Sequence, residues 1–183
     1  MYIQKTKKSW RGIPLIAVVD GKKYHVFKED GGYTIVTRKE EKSNSSFTRQ
    51  KCRDGAILFY RSIALPEITS LYRIKFYVIY RTPHINETEW QVEEGAAIGL
   101  VPDIERDEVG IAFSGGGCPP GWTVWDKTCY SKIVHLSDCE RLKVVHVYDR
   151  KDGVSFCPPL EETEDVTPGV FRKTMVECRP ENL

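Results

Sequence analysis

Polar and apolar residues alternate with a period of two along most of this chain, and glycine, proline and aspartate interrupt the alternation at short intervals. That pattern predicts short antiparallel strands and almost no helix. Residues 13–19, 23–28 and 33–37 read as a three-stranded meander, because Asp20-Gly21 and Asp30-Gly31-Gly32 supply the positive φ that tight hairpin turns need. Residues 38–54 are charged and serine-rich, and read as a surface loop leading to Cys52. Residues 56–64 and 71–81 predict stronger strands. In the second of these, Tyr72, Ile74, Phe76, Val78 and Tyr80 share one face, while Tyr77 and Ile79 join Arg73 and Lys75 on the other, which marks a strand central in its sheet. Residues 90–93, 96–101 and 109–113 continue the strand pattern.

Ser114-Gly115-Gly116-Gly117 breaks it, and five of the six cysteines come afterwards. The expected architecture is all-β: an antiparallel β-sandwich of jelly-roll or immunoglobulin-like kind over residues 1–113. A disulfide-rich β subdomain over residues 114–183 packs on it or completes it. Within the second part, residues 121–124, 131–136, 142–148, 154–156 and 169–176 read as strands, with a hairpin turning at Asp152-Gly153.

A chain of 183 residues is long enough for one sizeable core, or for a core with a small disulfide-held appendage. Its formal net charge of +1 gives no field that favours nucleic acid or acidic membranes, so no nucleic-acid partner is expected. No apolar run approaches the roughly 20 residues that span a bilayer, and no membrane insertion is expected. Lys5, Lys7, Lys8 and Arg11 make the start basic, and Glu161, Glu162, Glu164 and Asp165 make a late segment acidic; both read as solvated stretches.

An even number of cysteines without a Cys-x-x-Cys spacing suits three disulfides in an oxidising compartment better than a metal site. Asn44-Ser45-Ser46 and Asn86-Glu87-Thr88 both fit the glycosylation pattern. Together they predict a secreted or extracellular protein whose leader was removed before this numbering begins.

Candidate chemistry is sparse. His135 and His146 would face one another across a hairpin centred on Glu140-Arg141, but with Asp138 alone nearby they fall short of the three or four ligands zinc needs. Asp103, Glu105, Asp107 and Glu108 offer oxygens to calcium, yet lack the glycine and spacing of an EF-hand and read as a charged turn. Gly115-Gly116-Gly117 lacks the lysine and hydroxyl of a P-loop. No Gly-x-Ser-x-Gly elbow, His-Glu-x-x-His or dinucleotide fingerprint occurs. No metal, cofactor or enzymatic activity is expected, with a secreted hydrolase built from scattered residues kept as an alternative.

The stretch Cys118-Pro119-Pro120-Gly121-Trp122 through Cys129-Tyr130 resembles the opening hairpin of C-type lectin domains, where cysteine, proline, glycine and tryptophan precede a second cysteine followed by an aromatic. The likeness covers residues 118–130. The family's central Trp-Ile-Gly-Leu-like segment and its calcium-binding Glu-Pro-Asn and Trp-Asn-Asp elements are absent, so no site carries across. What the resemblance supports is a local disulfide between Cys118 and Cys129. Several connectivities are open for the rest. The favoured ones are Cys139–Cys157, clamping the hairpin at Asp152-Gly153, and Cys52–Cys178, tying the tail to the first domain. Closing so long a loop contributes about 4 to 5 kcal/mol in the chain-entropy model.

The expected function is extracellular recognition of a protein or glycan through cysteine-braced loops. Trp122, Trp125 and Tyr130 are the candidate contacts, because rigid aromatics give area at low entropic cost. Residues three apart on a strand point to opposite faces, so one tryptophan packs inward while the other meets a ligand. A structural or assembly subunit of an extracellular matrix or virion coat, self-associating through the basic start or an open sheet edge, is the other alternative.

Overall fold

The computed structural model describes residues 15–29, 31–38, 46–52, 55–93 and 103–179. Among them the chain is mostly strand with one short helix, and the strands pair antiparallel into open sheet. It divides into two compact units: residues 13–74, 146–162 and 177–183, here the meander unit, and residues 1–12, 75–145 and 163–176, here the hairpin unit. The expected boundary after residue 113 is not the boundary between them, since Ser114 to Gly117 falls inside the hairpin unit.

The meander unit holds β1 (Leu15–Val19), β2 (Lys22–Glu29), β3 (Gly32–Thr37), β4 (Thr48–Lys51), β5 (Ile57–Ile63) and the first half of β6 (Ser70–Ile79). The strand order is β4-β5-β3-β2-β1-β6. At the β1–β2 turn, Asp20 and Gly21 take φ of 50° and 74°, the left-handed pair whose twist matches that of the flanking strands.

The register places Thr48, Tyr60, Val36, His25, Ile16 and Tyr72 on one rung across the sheet. Ile16, His25, Val36 and Tyr72 of that rung are buried. Their neighbours one residue along face the other way, where Ala17, Val19, Tyr24, Val26, Ile35 and Leu71 form a core with Ile63 and Ile68. Burial on both faces is why β1 reads as an unbroken Leu-Ile-Ala-Val-Val run.

β4 replaces part of the loop expected over 38–54. All four of its residues are exposed, so it has no buried face and leaves no alternation for a sequence reading to find. The strand expected over 96–101 lies outside the described residues, as do residues 13 and 14 of the first strand.

The hairpin unit holds the second half of β6, then β7 (Glu89–Glu93), β8 (Glu108–Ser114), β9 (Thr123–Asp126) and β10 (Cys129–His135), in the order β6-β7-β8-β10-β9. β11 (Arg141–Lys151) pairs with β6 and with β12 (Val154–Asp165). β11 and β12 each give one stretch to each unit, divided after residues 145 and 162. The turn between them is the expected Asp152-Gly153, with φ of 50° and 81°. β12 runs on to Asp165 although only a three-residue strand was expected, because it too is exposed along most of its length.

Residues 169–176, expected as a strand, are instead most of helix α1 (Pro168–Glu177). Phe171 and Met175, four residues apart, are its buried positions and so share one helical face. Thr167 and Pro168 mark the start: the Thr167 hydroxyl accepts from the Val170 N–H at 3.4 Å, and proline at the first helical position has no N–H to leave unsatisfied. Phe171 packs edge-to-face on Phe76, ring centroids 5.2 Å apart.

The hairpin expected to bring His135 and His146 together does not form. β10 pairs with β8 and β9, while β11 pairs with β6 and β12. Residues 136–138 between them make a single 3-10 turn whose second amide, that of Ser137, is capped by His135 Nδ1. His146 belongs to the meander unit.

Phe171→Ala is expected to cost about 3–5 kcal/mol of unfolding free energy and Val170→Ala, on the exposed side of the same helix, less than about 0.5, both read from urea unfolding. Equal costs would contradict the helical packing.

Candidate functional site

The cysteine-flanked hairpin that the sequence singles out is built from β8, the turn at 115–122, β9 and β10. β8 and β10 pair in regular register from Cys129↔Ser114 to His135↔Glu108. β9 adds to the far side of β10 with Val124 opposite Tyr130, and with a register shift between Cys129 and Tyr130. Four rings gather on one face. Trp122 lies 5.4 Å from Trp90 and 6.2 Å from Phe113, and Phe113 stacks on Tyr130 at 6.1 Å with 26° between planes. Trp90 donates its indole N–H to the Tyr80 carbonyl at 2.9 Å, which satisfies the one polar atom the cluster buries there.

Trp122 and Tyr130 are therefore 8% and 5% exposed. The structure puts these two expected ligand contacts inside the unit, where they hold the hairpin to β7 and β8. The side chain of Trp125 lies outside the described residues. The Tyr130 hydroxyl accepts the Gly117 N–H at 3.2 Å, so the ring also fixes the turn that leaves β8. A Cβ at Gly115 would lie 2.2 Å from the Phe113 ring, which makes glycine a steric requirement at that position. Gly117 and Gly121 take φ of 102° and 79°, the left-handed region that side chains avoid.

What this scaffold turns outward is short and partly apolar. Gly116, Gly117, Cys118, Pro120, Gly121 and Thr123 are exposed, and Val124 is 56% exposed, among the most exposed large hydrophobic residues described.

All six cysteines are free, and none of the three expected pairs is joined. Cys129 Sγ sits 3.5 Å from the hydroxyl of Ser114, its partner across the β8–β10 ladder. Tyr130, one residue on, points to the opposite face, and Cys118 Sγ contacts the Trp122 carbonyl at 3.4 Å.

Cys52 hydrogen-bonds Tyr60 and Cys178 lies beside Tyr72. These tyrosines share a rung but stand four strand spacings apart, about 19 Å along the sheet, where a disulfide needs Cα atoms within about 7 Å. Cys139 directs its Sγ to the His135 carbonyl at 3.5 Å, and Cys157 is exposed. Burial, with Asp138 adding to it, pushes the Cys139 thiol up to about 11, so it is a poor nucleophile at neutral pH.

Asn44 lies outside the described residues, and Asn86 is exposed beside the small turn closed by the Thr82–Ile85 bridge. The acidic turn at 103–108 is committed to its own structure. Asp103 Oδ1 accepts the Glu105 N–H at 3.0 Å and pairs with Arg106, while Asp107, at φ 60°, pairs with Arg172 at 2.9 Å. No group of three or more His, Cys, Asp or Glu side chains able to hold a metal occurs among the described residues.

His135 and Ser137 do make the histidine–hydroxyl contact a hydrolase would use, Nδ1 to Oγ at 2.8 Å. Yet both are exposed on one local turn, where Nδ1 also accepts the Ser137 N–H, and Asp138 contacts the serine at 3.4 Å and not the imidazole.

A second cluster, in the meander unit, was not read from the sequence. Tyr72 packs on His146 and Tyr148, centroids 5.7 and 5.3 Å away, and those two rings stack at 18°. Lys151 Nζ sits 5.0 Å over the Tyr148 ring and 2.5 Å from Glu162 Oε1. The signal lay in His146 and Tyr148, two apart on one strand, but recognising it required knowing that β11 pairs with β6.

No family model, curated protein or solved structure matches the chain.

Two predictions follow from this packing. Trp122→Ala should destabilise the protein by about 3–5 kcal/mol and Val124→Ala by less than about 0.5, whereas an exposed ligand platform would give small values at both. Burial, reinforced by Cys52 at Tyr60 and by Cys178 and Tyr148 at Tyr72, raises both tyrosines to about 12. Below pH 10 both states are neutral at these positions; from 10 to about 12 only the unfolded chain ionises, so stability falls as pH rises through that window. Phenolate absorbance against pH, with Tyr72→Phe as control, measures it; two groups ionising normally near 10 would refute the burial.

Proposed function

We propose that this chain is an extracellular recognition module that binds a protein, or a glycan, through the turn between β8 and β9 and the outer edge of β9. The finer fold description, a jelly-roll or immunoglobulin-like sandwich with a cysteine-rich C-terminal part, belongs to the same proposal. The observation that carries it is the contrast within one hairpin: Trp122 and Tyr130 are locked among four rings while Val124 and the turn around Cys118 stand exposed. A loop held still by its scaffold loses little entropy on binding, which is how rigid surfaces gain affinity. Trp122 and Tyr130 act as internal braces in this reading, and Val124 and Pro120 as contact surface. The extracellular location rests on the sequon at Asn86, which is exposed and open to glycosylation.

The test uses the full chain expressed in a secretory host. Its mass should fall on glycosidase treatment and the Asn86 glycan should be lost in Asn86→Gln. Purified extracellular ectodomains and a glycan array are then probed with wild type, Val124→Glu and, as an exposed control on β12, Val154→Glu. The expected result is a ligand whose affinity drops at least about tenfold in Val124→Glu and is unchanged in Val154→Glu. Binding that neither substitution alters would remove the hairpin from the proposal, and a secreted protein without glycan would remove Asn86.

A further inference from the structure

We infer that β4 and the second half of β12 form a head-to-tail contact between two copies of this chain. Each strand pairs on one side only: β4 with β5 and β12 with β11. Their other edges are open among the described residues, and an open edge presents a row of unpaired N–H and C=O groups to any complementary strand. Both strands are also bare. All four residues of β4 are exposed, and so is most of β12.

Pro158 and Pro159 interrupt β12 by removing two donors, which leaves residues 160–165 as the stretch able to accept a strand.

The side chains choose the partner. β4 reads Thr-Arg-Gln-Lys, and the last four residues of β12 read Glu-Thr-Glu-Asp. An antiparallel register that sets Arg49 opposite Glu164 also sets Lys51 opposite Glu162, because both pairs are two residues apart and share a face. The same register places Gln50 against Thr163 and Thr48 against Asp165. Opposite charges directly across a strand pair attract, whereas a β12–β12 pairing would oppose like charges and a β4–β4 pairing would bring no opposite charges together.

Arg49, Lys51 and Glu164 make no ion pair within the described chain. Glu162 is held by Lys151 and Asp165 lies 3.8 Å from Arg141, both in largely exposed pairs that give way at little cost. Each copy offers one β4 and one β12, so the contact is heterologous and leaves an open edge of each kind at the ends of any oligomer that does not close into a ring.

A contact of four residue pairs is weak, so the full chain is examined by sedimentation velocity over a wide concentration range. It is run at about 0.1 M and about 1 M salt, between which the screening length falls from about 10 to about 3 Å. Wild type should associate with rising concentration and less so in high salt. The double variant Arg49→Glu/Lys51→Glu should associate at least about tenfold more weakly, as should Glu162→Lys/Glu164→Lys, and mixing the two variants should restore a complex between them. All substituted positions are exposed, and circular dichroism of each variant checks that the fold is kept. A wild type that stays monomeric throughout, or association that survives charge reversal, overturns the inference. So does association abolished by Val124→Glu, which would place the self-contact on the hairpin.

Discussion

The candidate surface of the hairpin unit depends on the packing of one ring, Phe113. It touches Trp90, Trp122 and Tyr130, and it fills the space that any side chain at residue 115 would require. One aromatic on β8 therefore dictates residue types on three other elements. It needs a large ring on β7, a large ring ahead of β9, and no side chain where the turn begins. Edge-to-face and stacked pairs add about 0.5–1.5 kcal/mol each beyond simple burial, so the cluster is both the glue of this hairpin and the reason its outer residues have a fixed position.

Charge plays a different part in the molecule. Arg61 pairs with Glu67, whose other oxygen accepts the Ala64 N–H at 2.9 Å, and Asp103 both caps a turn and pairs with Arg106. Asp107 holds Arg172 of the helix, and Glu89 holds Lys143 at 2.5 Å. These pairs sit near the surface and are worth little individually. Their effect is on chemistry: carboxylates that might have gathered around a cation are spent one by one on neighbouring cations and amides. The acidic turn at 103–108 shows this clearly, since its aspartates end in opposite directions, one toward its own turn and one toward α1.

The strands that could be read from sequence are those with one face buried and one exposed, or both faces buried: β1, β2, β3, β5, β6, β7, β8, β10 and β11. Alternation is a record of burial, and a strand with no buried face leaves none. That is why β4 and most of β12 went unread, and why both turn out to be edges. The helix was misread for the opposite reason. Val170, Phe171, Met175 and Val176 gave an apolar scatter that fits either period, and the deciding signal was the Thr167-Pro168 start. Of the expected contact residues, Trp122 and Tyr130 are buried in the ring cluster and hold the hairpin from within. The cysteine pairings could not be judged from spacing, because spacing does not say what lies across the ladder from a cysteine: Cys129 sits opposite Ser114.

The two surfaces argued for here draw on different forces, and this separates them physically. The hairpin presents Val124, Pro120 and a glycine-rich turn, so binding proposed there would rest on apolar contact and preorganisation, which salt hardly weakens. The edges of β4 and β12 present bare backbone and opposite charges, so their pairing rests on hydrogen bonds and on Coulomb attraction across water, which salt screens. Backbone edges are common to all open sheets and choose no partner by themselves. Selectivity at these edges comes from the spacing of Arg49 and Lys51 against Glu162 and Glu164, and Pro158-Pro159 limits where along β12 that spacing can be met. A sheet that leaves two edges open yet marks them with opposite charge favours one ordered contact over the many disordered ones that bare edges invite.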